Sequence, residues 1–243
     1  MKGTILQPTY LPWMGYFDMI DSSDVYVIFD HVQFIRKSWH RRNRIKTHNG
    51  ELMLSVPVKN THQDTPICKI EITNPITLSK HWKTISLAYG KSRYFNDYKE
   101  YFLDVYSHKY VLLRDLNVAL IKAICKILGI KKNFINSSNI IHGKEEKNLC
   151  RTGKVINLCK KIGISYLNDA KGASDLLDPT MFDKENIDIR FQNFQHPHYN
   201  QLHGGFIEYM SVLDLIFNEG VKSIDIIRSG RHYERFDEMN KFC

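Results

Sequence analysis

The sequence predicts an α/β fold, a Rossmann-like parallel sheet with a β-hairpin excursion and a helical subdomain. Three observations lead to it. First, residues 3–6 form a short apolar strand ended by Gln7-Pro8, residues 13–20 carry helical apolar spacing, and residues 24–29 (DVYVIF) are β-branched and aromatic. Strand, proline-containing loop, helix and strand within thirty residues make a βαβ unit with parallel strands. Second, His48-Asn49-Gly50 is a hairpin turn between strand-like pieces at 43–46 and 52–58. Third, residues 78–128 switch to helical periodicity.

The remaining elements follow in order. Residues 32–35 and 67–72 read as further short strands. A helical segment holds Trp82, Ile85, Leu87 and Tyr89, and two more helices cover 95–106 and 112–128, the last with Gly129 as its C-cap. A helix over 147–162 is capped by Gly163, and 164–167 and 187–191 are strands. Ser211 N-caps a helix over 212–218 that Gly220 stops, and 223–227 begins one more. Without internal repeat or low-complexity linker, residues 1–243 read as a single domain with a helical subdomain at about 78–162.

Composition narrows the function class. Hydrophobic residues at 43% and aromatics at 12% are globular values. The net charge is +8, and the excess is partly local to one window. That favours a local anion site over a whole-surface nucleic-acid binder, and nucleic acid is not the expected partner. The five cysteines are odd in number and form no CxxC pair, so neither a disulfide framework nor a cysteine zinc site is expected. Gln7 and Pro8 interrupt the first apolar run, and no stretch reaches the ~20 apolar residues of a membrane span. A cytoplasmic protein is the expectation.

Four constellations can carry chemistry. In residues 31–50 the cations Arg36, Lys37, Arg41, Arg42, Arg44 and Lys46 stand with Phe34 and Trp39 and with no acid. If 43–46 is a strand, Arg42 and Arg44 share a face and can hold a phosphate, while Arg41 joins the other face; Arg41 and Asn43 are further candidate substrate-binding residues. The competing reading is a solvated edge strand protected by charge. In QPTYLPWMGYF, residues 7–17, a strand leads through a loop to a helix N-terminus, which favours an anion there, and Gln7 and Tyr10 are candidates to line a sugar or donor pocket; a proline-rich turn with core aromatics fits equally. In HPHYNQLHGGF, residues 196–206, His196, Tyr199 and Gln201 can face a ligand, with His196 as general base or as a structural histidine. His196, His198 and His203 lack a fourth ligand at metal spacing, so no metal site is expected. Asp30 ends the second strand, where open α/β sheets bind ligands, and Gln7 lies at the same edge.

Together these motifs resemble the WbqC-like protein family. The resemblance rests on Gln7-Pro8-x-Tyr10-Leu11-Pro12-Trp13-x-Gly15-Tyr16-Phe17, the strand ending in Asp30 and the 39–46 basic segment. It continues in His196-Pro197-x-Tyr199-x-Gln201 and Ser211-x-x-Asp214-Leu215-x-Phe217-Asn218-x-Gly220, and Gly172-x-Ser174 is also similar. It implies a place in bacterial surface-polysaccharide (O-antigen) biosynthesis. The start of the chain is also similar to nucleotidyltransferases and pantothenate synthetases, which carry H-x-G-H where this chain has Trp13-Met14-Gly15-Tyr16. The expected function is a transferase acting on a nucleotide-linked amino sugar or another phosphate-bearing small molecule, with Asp30 and His196 as catalytic residues. An ATP-using ligase or nucleotidyltransferase-like enzyme, and a non-catalytic nucleotide-sugar or nucleic-acid binder, are the alternatives. No cofactor is assigned.

Overall fold

A computed structural model describes residues 1–74, 76–142 and 145–239. Its frame is a sheet whose two faces are dictated by alternation within the strands. In β1 (Lys2–Leu6), Ile5 enters one apolar layer and Leu6 the other. In β2 (Val25–Ile28), Val25 and Val27 share the layer of Ile5, and Tyr26 and Ile28 that of Leu6. A strand buried on both faces reads as a continuous apolar run, as these do, and it belongs in a parallel sheet covered by helices on both sides.

The helix α1 (Met14–Asp21) joins these two strands, which pair in parallel register with Gly3 opposite Val25. The antiparallel hairpin β3 (Arg42–Thr47) and β4 (Gly50–Ser55) follows. Gly50 at φ +92° supplies the left-handed residue that this tight turn needs. Three helices come next: α2 (Ile76–Tyr89), α3 (Phe95–Ser107) and α4 (Leu113–Ile127). Then β5 (Asn133–Asn136) joins the edge of the sheet beside β2. Helix α5 (Arg151–Ile162) crosses the other face to β6 (Tyr166–Ala170), and α6 (Pro179–Lys184) leads to β7 (Asp188–Gln192). Helices α7 (Val212–Glu219) and α8 (Ser223–Ser229), the short β8 (Tyr233–Glu234) and α9 (Phe236–Met239) complete the described chain. The sheet order is β5-β2-β1-β6-β7-β8, parallel except for β8. Residues of α1, α4, α7 and α8 build one apolar layer, and those of α5 and α6 the other.

Four sequence expectations change. Residues 32–35 form no strand; Gln33 makes one bridge, to Pro66. Residues 67–72 begin as a 3₁₀ turn, Ile67–Lys69, because the amides of Ile67 and Cys68 bond to Val32 and Asp30 carbonyls across a loop rather than along a ladder. Helix α5 starts at Arg151 rather than 147, since Cys150 caps it by accepting from the Gly153 amide. The sixth strand starts two residues later than expected, because the left-handed Gly163 and the Ile164 amide still close the end of α5. That shift puts Asp169 inside the strand. The edge strand β5 and the two-residue β8 carry too few apolar residues to show in the sequence.

Buried amides tie the loops at the carboxyl edge of the sheet to the helical layer. Asn117 of α4 is fully buried and donates to the carbonyls of Pro8 and His40, at 3.0 and 2.7 Å. Asn117→Ala leaves both carbonyls unpaired. We expect it to lower unfolding free energy by about 1–3 kcal/mol, read as a reduced urea midpoint by circular dichroism; an unchanged midpoint would show that water replaces the amide.

Candidate functional site

The parallel strands deliver their carboxyl ends to one edge. After β1 the chain turns to the layer of α1, whereas after β6 it turns through residues 171–176 to the layer of α6. The strand order also runs outward in opposite directions from this pair. The crevice between the ends of β1 and β6 is therefore the switch point at which open α/β sheets hold ligands. The expected site residues fall into distinct groups along this edge.

Asp30 follows β2 and is fully buried. Its carboxylate accepts from Arg114 Nη1 at 2.9 Å, the Ser138 amide and hydroxyl at 2.8 Å each, and the Ser137 hydroxyl at 3.0 Å. Sequence reasoning found the acid but not its partner, since Arg114 lies 84 residues away on α4. Beside them His31 Nδ1 lies 2.7 Å from Ser137 Oγ and Nε2 lies 2.9 Å from Glu146 Oε2. Asn157 holds the other Glu146 oxygen at 3.0 Å. Serine, histidine and glutamate thus stand in a row, but Ser137 is sealed from solvent. Arg114, Lys122 and Asn136 border an open cleft of about 330 Å³ next to this group.

At the end of β1, Gln7 Oε1 accepts from His40 Nε2 at 2.9 Å. Burial lowers the His40 pKa to about 4, so this imidazole is neutral. Tyr10 lies within the core, its hydroxyl 2.8 Å from His81 Nδ1 and 2.7 Å from Tyr106. Asn43 is buried too, donating to the carbonyls of Tyr10 and Leu11 at 3.3 and 2.7 Å.

The basic window divides. Arg41 spends its guanidinium on the carbonyls of Arg36 and Val56. Arg42 and Arg44 share one face of β3. Arg42 donates to the Lys37 carbonyl, and Arg44 reaches Glu51 at 2.9 Å and the Tyr209 carbonyl at 3.4 Å. The Nε of each is buried and has no hydrogen-bond partner among the described residues. The Arg44 guanidinium sits 5.7 Å from the centre of the half-exposed Trp39 ring. Lys46 is sealed, its ammonium donating to the carbonyls of Gly204 and Gly205.

The loop after β7 meets this face at Tyr209. His196 lies among Trp13, Tyr199, Phe206 and Tyr209, with the Tyr209 ring 5.0 Å away. Its Nδ1 donates to the Pro197 carbonyl and its Nε2 accepts from the Tyr209 amide. Burial lowers its pKa, so it rests neutral with both nitrogens engaged. Tyr199 donates to Asp214 at 2.9 Å, and Gln201 bonds to the Tyr199 hydroxyl and to both polar backbone groups of Ile207. His198 packs against Phe206 with the rings tilted, and His203 bonds to the Ala88 carbonyl. Among the described residues no group of three or more His, Cys, Asp or Glu is placed to hold a metal.

The structure thus brings Arg44, Trp39, Tyr209 and His196 together, with Arg42 on the same face of β3 as Arg44. Asp30 shares their sheet edge but lies three strands from the strand preceding His196, a spacing of roughly 14 Å. Sequence reasoning missed Asp169, near the end of β6, because it read the strand as ending at Leu167. Asp169 is 8% exposed, and among the described residues its carboxylate accepts one hydrogen bond, from the Ala170 amide to Oδ1. Burial without a countercharge raises its pKa to about 7.

An acid whose pKa rises on folding stabilises the fold as pH falls. The native state holds the proton below about pH 7 while the unfolded carboxyl releases it down to about 3.8. The Asp169 contribution is therefore gained as pH drops through 7 and is lost at alkaline pH. We expect Asp169→Asn to be more stable than the parent at pH 8, by at most about 4 kcal/mol, and to match it near pH 4. Equal urea midpoints at both pH values would show that solvent already reaches the carboxylate.

Among comparisons with known proteins, the WbqC-like protein family matches residues 7–226. A Mycobacterium tuberculosis (strain ATCC 25618 / H37Rv) protein named "Uncharacterized protein Rv1507c" is 31% identical over 234 residues, covering 93% of this chain and 97% of its own. No solved structure matches. The specific outer motifs at 7–17 and 196–220 lie within the matched span, and the chain belongs to the WbqC-like protein family.

Proposed function

We propose that the chain is an enzyme of bacterial surface-polysaccharide biosynthesis that transfers a group to a nucleotide-linked amino sugar. The observation that carries the reading is the pair of buried Nε–H donors, unpartnered among the described residues, on Arg42 and Arg44, which share a face of β3, with the half-exposed Trp39 and Tyr209 beside Arg44. Unpaired buried donors cost free energy until an acceptor arrives, and a diphosphate supplies acceptors with the matching charge. An exposed ring beside the arginines suits the base of the same nucleotide.

In this reading the basic strand holds the diphosphate. Gln7 and the Asp30–Arg114 pair border the sugar at the sheet edge. Tyr10, Asn43, Tyr199 and Gln201 position the loops from within, consistent with their burial and hydrogen bonds. His196 acts as proton acceptor after ligand binding draws the Tyr209 amide off Nε2. Trp39 stacked on Arg44 also favours a second reading, a binder of single-stranded nucleic acid.

We expect Arg42→Ala and Arg44→Ala each to weaken UDP binding by about 1.5–3 kcal/mol, measured by calorimetry at fixed salt. Parent-like binding by both variants places the phosphate site elsewhere. Tight binding of a short oligonucleotide with none of UDP would favour the nucleic-acid reading.

A further inference from the structure

We propose that the crevice between the carboxyl ends of β1 and β6 binds the ammonium group of the amino sugar, with the Asp169 carboxylate as its counterion. The inference rests on the nucleotide-linked amino sugar reading and names the part of the protein that would recognise the amine.

Three observations on the structure carry it. The crevice is the switch point of the sheet, where the loops after the two central strands leave for opposite layers. Asp169 lies in β6 next to β1, opposite Phe191 of β7. By alternation it shares the face of Leu167, and β1 presents Ile5 on that same face beside it. The Asp169 oxygen Oδ2 accepts no hydrogen bond among the described residues, and the residue keeps 8% of its surface open.

The contrast with two other buried acids, Asp30 and Asp18, is chemical. Asp30 is neutralised by Arg114, and Asp18 by Arg231. Asp169 has neither a cation nor a side-chain donor among the described residues. A buried carboxylate without a counterion is costly, and a ligand that brings an ammonium removes the cost. Its raised pKa agrees with a site awaiting positive charge. A neutral N-acyl sugar offers no such gain.

Two probes that differ only at the amine test this: UDP-glucosamine and UDP-N-acetylglucosamine, titrated by calorimetry. The parent should bind UDP-glucosamine about 10–100-fold more tightly, the range of one charge-assisted contact. Asp169→Asn should erase that preference while keeping its affinity for UDP-N-acetylglucosamine. Free glucosamine should shift the Asp169 ¹³C-carboxyl signal of the parent protein, and N-acetylglucosamine should not. Absence of the preference in the parent, or its survival in Asp169→Asn, overturns the inference. If neither UDP sugar binds, the glucosamine arm decides. A shifted Asp169 signal then keeps the ammonium site and removes the nucleotide-sugar reading, and an unmoved signal removes both.

Discussion

Burial of both faces of the parallel sheet is the constraint from which the other features follow. Ile5 and Leu6, or Val27 and Ile28, cannot both be buried unless helices cover both sides. The chain supplies α1 and α4 to one side and α5 and α6 to the other. That division forces the connection after β1 and the connection after β6 to part, and the gap they leave is a consequence of core packing rather than of a loop's own sequence. Fold stability and site location thus have the same origin.

The loops at this edge are long, and loops cost backbone entropy that the sheet does not repay. Their order comes from buried polar groups reaching carbonyls. Asn43 holds residues 10 and 11, Asn117 holds residues 8 and 40, and Lys46 holds residues 204 and 205. The last of these passes through Gly204 and Gly205, both at positive φ, where the backbone needs external restraint. Several residues that look like ligand contacts in the sequence are thereby consumed in holding the loops, Asn43 and Gln201 among them. Polar residue type alone cannot distinguish a group that binds a ligand from one that binds a neighbouring loop.

Much of the fold was legible because its signals are local. The β1–α1–β2 unit, the Gly50 turn, α3, α4, β7 and the Ser211 cap of α7 all follow from short-range pattern. The misreadings occur where partners are remote. Residues 30–34 and 65–68 satisfy one another through isolated bonds, and β5 is a strand because β2 offers it an edge. The site divides in the same way. The shared face of Arg42 and Arg44 was visible in their spacing, but the Glu51 partner of Arg44 lay one residue beyond the acid-free window. Arg114 and Glu146 were invisible because they reach Asp30 and His31 over 84 and 115 residues.

The difference between Asp30 and Asp169 shows why burial alone is a poor guide to function. Both stand at the same edge of the same sheet, and both are buried. Asp30 already has four donors, one of them a guanidinium, so a ligand must break those bonds to gain its carboxylate. Desolvation has been repaid locally, and little electrostatic free energy remains for binding. Asp169 has one amide from its own strand, and burial pushes its pKa up to about 7. Near neutral pH it is poised between two costs: exposing a charge to a poor medium, or holding a proton that bulk water would take. A cation at the switch point resolves that conflict and returns the cost as affinity. The acid most conspicuous in the sequence thus has its charge met within the fold by Arg114, whereas the one hidden by a strand boundary has no such partner among the described residues.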